Sequence, residues 1–271
     1  MPDNTSYIEI TPFKLPFKKF DSTITEEARS RITRVSTQSL RDTLSIYKKG
    51  YSPVPNNLKL LFLEEMARHF NGQFILSGGF AAFCLGKTST FTDIDYYMVI
   101  NSLSEEHLER YRKGIHEVVK KACANHELSD ILRPYIKCSS SYYNADGIGK
   151  VIKLMVGING NELHVADLCL APLASYSLFP DWDVPILENL FRGEETFAPL
   201  DRLMYDVIYS FDISLCKSLG VPVLGEKNRV TITSIDISGV DPPEQWRQLD
   251  SMNDCKRKQK YMTRVNRKYF M

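Results

Sequence analysis

The stretch FILSGGFAAFCLGKTSTFTDIDYYMVI, residues 74–100, decides the fold. An apolar run leads into paired glycines, a second apolar run ends at another glycine, and an Asp-Ile-Asp segment follows. Short apolar runs bounded by glycine and polar residues are typical of buried strands and tight turns. The stretch therefore predicts a strand at 74–76, a turn at 77–79, a helix at 80–85 and a strand at 93–100.

Asp93 and Asp95 are the residues of this stretch that carry chemistry. Side chains alternate along a strand, so both carboxylates are expected on one face while Ile94 enters the core. Two like charges on one face are costly in apolar surroundings but are natural beside a divalent cation. Gly78 and Gly79 let a nucleoside triphosphate approach backbone N–H groups closely. The stretch thus predicts a site for metal ions and phosphate.

The remaining chain predicts an α+β fold, with a small mixed sheet flanked by helices and helical additions at both ends. Capping residues, apolar periodicity and glycine or proline boundaries indicate the limits of the elements. Helices are predicted at 23–49, 57–70, 102–125, 184–191, 199–208 and from Asp241 onward. Further strands are predicted at 132–138, 151–156, 162–170, and at 229–237 as an edge strand. Residues 207–216 suit a helix or a strand, and a strand around Phe211 is favoured. The predicted segments are an N-terminal extension and helix (1–55), a core (56–218) and a C-terminal helical segment with a basic tail (219–271).

A hairpin is predicted in the middle of the chain. The Gly- and Asn-rich residues 157–161 indicate a tight turn, which sets 162–170 antiparallel to 151–156. Asp167 lies in the second arm of this hairpin, where alternation determines which residues share its face. Val165 and Cys169 are expected on the face of Asp167, and Ala166 and Leu168 in the core.

The order of strand, paired glycines, helix and Asp-x-Asp strand resembles the polymerase-beta-like nucleotidyltransferase superfamily in its eukaryotic and viral members. The signature of that family is an apolar strand, a Gly-Gly or Gly-Ser turn, a short spacer and Asp-x-Asp in a strand. Here Gly78 and Gly79 match the turn, and Asp93 and Asp95 match the carboxylates. The resemblance implies a nucleotidyltransferase-like core that uses divalent metal ions.

The resemblance extends loosely over residues 151–216 and implies a third carboxylate on a neighbouring strand, which completes a two-metal site for Mg²⁺ or Mn²⁺. Two residues are candidates. Asp167 is favoured by the geometry of the predicted hairpin. Asp212 lies in a Phe-Asp pair followed by a cysteine, which resembles a segment of the eukaryotic and viral members. The C-terminal KRKQKYMTRVNRKYF also resembles the ending of those members.

Four residues near the predicted turn are candidates for nucleotide contacts, namely Ser77, Gly78, Gly79 and Lys87. The Ser77 hydroxyl is equally compatible with a buried turn, and a solvated loop lysine is the stronger interpretation of Lys87. Tyr97 shares the predicted face of the aspartates and can stack on a base, although core packing is the stronger interpretation. These assignments depend on where the structure places each side chain.

The histidines and cysteines show no metal-ligand spacing. None of the histidines lies beside a serine or cysteine in a nucleophile motif, and they are interpreted as structural or exposed. The six cysteines form no CxxC pair and are interpreted as buried, reduced thiols. The histidines considered are His107, His116, His126 and His164, and the cysteines are Cys84, Cys123, Cys138, Cys169, Cys216 and Cys255.

Composition indicates an ordinary globular protein, and the net charge of +1 gives no global attraction to nucleic acid or membrane. The basic tail is the exception. Its Lys256, Lys260 and Arg264 recur at helical spacing, which suits phosphates of RNA or of a nucleotide as well as a solvated helix face. No signal peptide or membrane-length apolar stretch is visible, so an intracellular protein, cytoplasmic or nuclear, is expected.

Two functions are compatible with these features. The first is an enzyme that transfers a nucleoside monophosphate from a nucleoside triphosphate to a hydroxyl acceptor, with metal ions held by Asp93, Asp95 and a third carboxylate. The second is a catalytically silent descendant of the same fold, with a binding role or a structural role as a self-assembling homo-oligomer. Phe80 after the paired glycines and the ambiguous third carboxylate favour the second. Affinity for Mg²⁺ would distinguish the two.

Overall fold

The structure, a computed structural model, describes residues 32–46, 54–70, 74–100, 104–126, 129–139, 150–172, 211, 213–225 and 229–270. Within these segments the chain forms eight strands, seven α-helices and one short 3₁₀ turn at Ser214–Cys216. The strands are β1 (Ile32–Ser36), β2 (Phe74–Ser77), β3 (Ile94–Ile100), β4 (Leu132–Ser139), β5 (Lys150–Ile158), β6 (Asn161–Pro172), β7 (Ser218–Leu224) and β8 (Val230–Asp236). The helices are α1 (Thr37–Ile46), α2 (Val54–His69), α3 (Gly78–Cys84), α4 (Glu105–Ala124), α5 (Pro242–Asp250), α6 (Cys255–Met262) and α7 (Arg267–Phe270).

All eight strands belong to one sheet in the order β1-β8-β7-β2-β3-β6-β5-β4. Among these strands the pairing of β3 with β6 is parallel and the other pairings are antiparallel. The fold is therefore mixed α/β with a mostly antiparallel sheet. The sheet is larger than the small sheet predicted from the sequence, and it contains strands from all three predicted segments of the chain.

The two faces of β3 have different environments. Ile94, Tyr96 and Met98 are buried in the main hydrophobic core, which also contains apolar residues of α2 and α4. Because side chains alternate along a strand, Asp95 and Tyr97 face the other side. Tyr97 is buried there, with its ring centroid 6.4 Å from that of Phe211. The polar face of β3 is thus separated from the main core.

The C-terminal segment is attached to the loop that leads into β3. The backbone N–H of Ser89 donates to the carbonyl of Arg264 at 2.7 Å, and the N–H of Asn266 donates to the carbonyl of Lys87 at 2.8 Å. The Asn266 side-chain amide also donates to the carbonyl of Gly86 at 3.0 Å. These bonds hold the basic C-terminal segment next to the residues that precede Asp93.

Most of the predicted elements are confirmed. The helix predicted at 57–70 is α2, the strand and helix around the paired glycines are β2 and α3, and the long helix is α4. The hairpin turn is also confirmed, with Asn159 and Gly160 at positive φ between β5 and β6. The helix after Asp241 begins at Pro242, where the Asp241 carboxylate accepts a hydrogen bond from the Glu244 N–H at 2.8 Å.

Three predictions of secondary structure are wrong. Residues 32–36, predicted within a helix, form β1, because Ile32, Thr33 and Val35 suit a strand and the segment pairs with β8. The strand at 230–236 is not at an edge, since it lies between β7 and β1. Phe211, where a strand was favoured, lies in no strand, and Ser214–Cys216 form a 3₁₀ turn. The helices predicted at 184–191 and 199–208 lie outside the described residues.

The cysteines agree with the prediction of reduced thiols in the part of the chain that the structure describes. Cys84, Cys123, Cys169 and Cys216 are unpaired and buried. Cys255 is the exception, because it is exposed at the start of α6. The side chain of Cys138 lies outside the described part.

Candidate metal centre

Asp95 and Asp167 lie opposite each other on neighbouring strands. Strands β3 and β6 are parallel, and their register pairs Asp95 with Asp167. On its other side Asp95 is paired with Ser77 of β2. Asp167 therefore lies on a strand beside the Asp-x-Asp strand, which is the position expected for the third carboxylate. The alternative, Asp212, lies outside the described residues.

Asp93, His164 and Asp167 form a cluster in which each side chain offers one possible metal ligand. Their ligand atoms all lie within 4.8 Å of one another. The Nε2 atom of His164 is 2.8 Å from Oδ1 of Asp167, and its Nδ1 atom is 3.4 Å from Oδ2 of Asp93. Asp167 is buried, while Asp93 and His164 are half-buried. Such a group of donors could hold a metal ion.

A β-bulge brings His164 to the face of Asp167. In the pairing of β5 with β6, Leu154 lies opposite Ala166 but Met155 lies opposite His164, so Val165 has no residue opposite it on β5. Without the bulge, residues three apart on a strand would point to opposite faces. The extra residue restores His164 to the carboxylate face.

The bulge also corrects the predicted neighbours of Asp167. Val165 was expected on the carboxylate face, but it belongs to the main core together with Ala166 and Leu168. The placement of Ala166 and Leu168 in the core is as predicted. Cys169, also expected on the carboxylate face, lies there, and burial followed by the negative charges of Asp95 and Asp167 raises its pKa well above the ordinary value.

Asp95 lies in an environment that disfavours its negative charge. Burial of its carboxylate raises its pKa well above the usual range, and the charges of Asp93 and Asp167 raise it further. The positive charges of Lys260 and Lys153 oppose this shift without cancelling it. A divalent cation beside these carboxylates would relieve the same repulsion.

The carboxylates around the His164 imidazole favour its charged form. Its hydrogen bond with Asp167 raises its pKa, burial lowers it, and the negative charges of Asp167 and Asp93 raise it again. The net direction is upward. The two carboxylates therefore favour a positively charged side chain at this position.

Gly78 and Gly79 have different environments. A Cβ atom on Gly78 would lie 2.5 Å from Oδ2 of Asp95, and Gly78 has a φ of +67°. A Cβ atom on Gly79 would meet no heavy atom within 4 Å. The backbone requirement for glycine therefore applies to Gly78, while Gly79 borders open space.

Asp93 is oriented by its neighbour Thr92. The Thr92 hydroxyl donates to Oδ1 of Asp93 at 2.6 Å, and the guanidinium of Arg264 donates to the Thr92 hydroxyl at 3.4 Å. The ammonium of Lys59, a buried residue of α2, donates to the Thr92 carbonyl. Burial lowers the pKa of Lys59 to about 8, although the charge of Asp93 opposes the shift. Thr92 thus connects the carboxylate cluster to α2 and to the C-terminal segment.

Lys87 and Ser77, two candidates for nucleotide contacts, are buried and bonded within the protein. The Lys87 ammonium lies 2.9 Å from Oδ2 of Asp236, and both side chains have an exposure of 0%. The interpretation of Lys87 as a solvated loop lysine is therefore wrong. The Ser77 hydroxyl donates to the carbonyl of Ser218 at 2.8 Å. The Ser77 hydrogen bond joins β2 to β7, and the Lys87 ion pair joins the loop after α3 to β8.

The basic tail lies close to the carboxylates. Lys256 and Lys260 are exposed on α6, but the helix ends at Met262, so Arg264 does not continue their helical stripe as predicted. Arg264 instead reaches Thr92 beside Asp93. The C-terminal segment therefore places the positive charge of Arg264 next to the carboxylate cluster.

His164 was interpreted from the sequence as a structural or exposed residue, and its place among the carboxylates was missed. The signal was the segment His-x-x-Asp, but this spacing suits a shared face only when a bulge intervenes. Among the other histidines considered, His126 is buried and His116 is half-buried on α4, 3.9 Å from Glu117. The side chain of His107 lies outside the described part.

None of the helices in the described segments combines the length and apolar character that a membrane crossing requires. Comparison of the chain with protein-family models gives no match, and comparison with curated proteins gives none either.

Proposed function

We propose that this protein is a metal-dependent nucleotidyltransferase, which moves a nucleoside monophosphate from a nucleoside triphosphate to a hydroxyl acceptor. The observation that carries the proposal is the pairing of Asp95 with Asp167 on adjacent parallel strands. Asp93 is one residue before β3, and one of its possible ligand atoms lies within 4.8 Å of one on Asp167. Three carboxylates on one side of a sheet, next to paired glycines, suit a triphosphate carried with divalent cations.

The donors present fit Mg²⁺ or Mn²⁺. Asp93, Asp95 and Asp167 would hold the ions, because carboxylate oxygens are the ligands that these cations prefer. The raised pKa of Asp95 supports this fit, since burial and neighbouring negative charge leave its carboxylate in need of a cation. When bound, the ions supply charge neutralisation for the triphosphate and polarise the acceptor oxygen.

In the proposed reaction the acceptor hydroxyl oxygen attacks the α-phosphorus of the nucleoside triphosphate. A new bond forms between that oxygen and the α-phosphorus, and the bond from the α-phosphorus to the oxygen bridging to the β-phosphate breaks. Pyrophosphate leaves with the electron pair of the broken bond. The hydroxyl proton is released to solvent water, because Asp95 serves as a ligand of the ions.

Open space and positive charge beside the cluster support binding of the triphosphate. The Cβ position of Gly79 meets no heavy atom within 4 Å, so phosphate oxygens can approach the backbone there. The positive charges of Lys260 and Lys153 oppose the upward shift in the pKa of Asp95. The same charges would attract an anionic substrate. RNA is a second proposed partner, because its negative phosphates would be attracted to the exposed Lys256 and Lys260.

The test is incubation of the full chain with each labelled nucleoside triphosphate and Mg²⁺ or Mn²⁺, followed by a search for labelled RNA, protein or small molecules. The proposal expects release of pyrophosphate and a labelled product. Asp95→Asn and Asp167→Asn should abolish the product, while Asp130→Asn, at an exposed position in another part of the chain, should not. Equal activity of all three variants would contradict the assignment of the site.

A catalytically silent protein with a structural or binding role is the second candidate. The observation that favours it is His164, whose two ring nitrogens face the carboxylates of Asp93 and Asp167. A charged imidazole in that position can neutralise the cluster without a metal ion. This candidate expects no affinity for Mg²⁺ or Mn²⁺ and no labelled product. It gains support if the protein assembles into a homo-oligomer whose formation is independent of metal.

A further inference from the structure

The ligand atoms of the candidate metal centre include a nitrogen as well as oxygens. His164 lies on the carboxylate face of β6 with its Nε2 atom 2.8 Å from Asp167 and its Nδ1 atom 3.4 Å from Asp93. We propose that Asp93, His164 and Asp167 form a mixed nitrogen and oxygen site that selects first-row transition-metal dications, such as Mn²⁺ and Zn²⁺, over Mg²⁺. The inference rests on the proposed function only because both sites use the carboxylates of Asp93 and Asp167.

The argument for selectivity starts from ligand preference. Mg²⁺ binds oxygen ligands and retains several water molecules, whereas imidazole nitrogen is a preferred ligand of zinc and other transition metals. A site made of two carboxylates and one imidazole therefore gains little for Mg²⁺ from the histidine. The same histidine adds a strong bond for a transition-metal ion once its ring nitrogen has released its proton to solvent. The imidazole of His164 therefore determines the preference for transition-metal ions over Mg²⁺.

The geometry is compatible with one ion shared by the three side chains. Metal–nitrogen and metal–oxygen bonds of about 2.1 Å place neighbouring ligands roughly 3 Å apart. The separation of 2.8 Å between His164 Nε2 and Asp167 Oδ1, which is spanned by a hydrogen bond in this structure, lies near this value. All three ligand atoms lie within 4.8 Å of one another, so small side-chain rotations would bring them onto one ion.

Backbone and hydrogen bonds hold the three donors in place. The bulge at Val165 turns His164 toward the carboxylates, and the neighbouring Ala166 is fixed in the core. The Thr92 hydroxyl donates to Oδ1 of Asp93 at 2.6 Å and leaves Oδ2 facing His164. The side chain of His164 is 30% exposed, so an ion can reach it from solvent. The donors are thus pre-positioned by the fold.

The experiment measures binding of Mn²⁺, Zn²⁺ and Mg²⁺ to the full chain by calorimetry at one fixed pH, without nucleotide. The variants are His164→Ala and His116→Ala, the second being a half-exposed histidine on α4. We expect the wild type to bind Mn²⁺ and Zn²⁺ more tightly than Mg²⁺. His164→Ala should weaken Mn²⁺ and Zn²⁺ at least tenfold and change Mg²⁺ less than threefold. His116→Ala should behave as the wild type.

Two results would overturn the inference. One is a wild-type protein that prefers Mg²⁺, and the other is a His164→Ala variant that weakens all three ions equally or none of them. Circular dichroism verifies that His164→Ala is folded, and His164→Gln, which keeps a side chain of similar length, replaces it if it is not. Because no nucleotide is present, the outcome is independent of transfer activity. A selective site without labelled product would contradict the proposed function alone.

Discussion

The Oδ2 atom of Asp95 lies 2.5 Å from the position that a Cβ atom on Gly78 would occupy. Gly78 also has a φ of +67°, a conformation that residues with side chains rarely adopt. Its neighbour Gly79 has no heavy atom within 4 Å of the equivalent position. Adjacent glycines therefore serve different purposes. Gly78 makes room for a carboxylate, and Gly79 leaves the surface beside the carboxylates open.

Alanine substitutions at the two glycines should separate these roles. Gly78→Ala should lower the free energy of unfolding by about 1–2 kcal/mol from the left-handed backbone alone. It should also displace Asp95 and weaken binding of Mn²⁺. Gly79→Ala should leave stability unchanged or raise it by up to about 1 kcal/mol, because alanine favours a helix over glycine. Urea denaturation and metal titration measure both effects, and equal losses for the two variants would contradict this account.

Neutralising Asp95 should stabilise the protein when metal is absent. Burial and the charges of Asp93 and Asp167 raise its pKa, so at neutral pH its negative charge opposes folding. Asp95→Asn removes that charge, and we expect a gain on the order of 1 kcal/mol in the free energy of unfolding. The gain should vanish when Mn²⁺ is added, since the wild type alone is then stabilised by the ion.

Thermal melts with and without Mn²⁺ test this expectation, with Asp130→Asn as the control at an exposed position. The control should match the wild type under both conditions. A large loss of stability for Asp95→Asn without metal would show that Asp95 is a structural residue. The repulsion within the cluster would then not be the dominant effect.

The central stretch was predictable because its signals are local. Gly78 follows a short apolar strand, and Asp93 and Asp95 flank the buried Ile94. The hairpin between β5 and β6 was equally local, since Asn159 and Gly160 specify the turn. The register of Asp167 beside Asp95 depends on the parallel pairing of β3 with β6, which the sequence did not predict.

The errors come from interactions that no local pattern records. Alternation along β6 placed Val165 beside Asp167, and a single bulge residue reversed the outcome and brought in His164. The segment 32–36 was predicted as helix because its strand partner lies about two hundred residues away, and long-range pairing overrides local preference. Lys87 was interpreted as solvated because its partner Asp236 is also distant in the sequence. Tertiary partners determined each of these cases.

The buried pair of Lys87 and Asp236 should be essential for stability and not for substrate affinity. Both side chains are fully buried, and Gln245 also donates to Asp236 at 2.8 Å. Lys87→Met leaves an uncompensated buried charge and should lower the free energy of unfolding by about 3–5 kcal/mol. The double variant Lys87→Met with Asp236→Asn should lose less than the sum of the single variants. Additive losses would show that the two side chains act independently.

The pair of Lys87 and Asp236 also predicts that the free energy of unfolding depends on pH in the acid range. Burial alone raises the pKa of Asp236, but the charge and hydrogen bonds of Lys87, with those of Ser238 and Gln245, lower it below the ordinary value of 3.8. The stabilising contribution is therefore complete above that value and is lost as the pH falls through the lower pKa of the folded state. The stability difference between wild type and Asp236→Asn should shrink below about pH 4. Urea denaturation over the acid range measures it, and a constant difference would contradict the pairing.

Thr92 should control the affinity of the metal centre through its hydrogen bond with Asp93. The hydroxyl donates to Oδ1 of Asp93 at 2.6 Å, and valine has the same shape without the donor. Residues that orient a metal ligand typically contribute about 10–100-fold to affinity. Thr92→Val should therefore weaken Mn²⁺ binding by at least tenfold. Because Thr92 is exposed, the free energy of unfolding should change by no more than about 0.5 kcal/mol.

Thr43→Val provides the matched control for Thr92→Val. Thr43 is exposed on α1, and its hydroxyl donates to the Ser39 carbonyl of the same helix at 2.8 Å. It should alter neither metal affinity nor the fold. Calorimetric titration with Mn²⁺ and a thermal melt of each variant separate an effect on the ligand from an effect on folding. If Thr92→Val binds Mn²⁺ as the wild type does, Asp93 is positioned without Thr92. The ion pair with His164, at 3.4 Å, would then be the interaction that orients it.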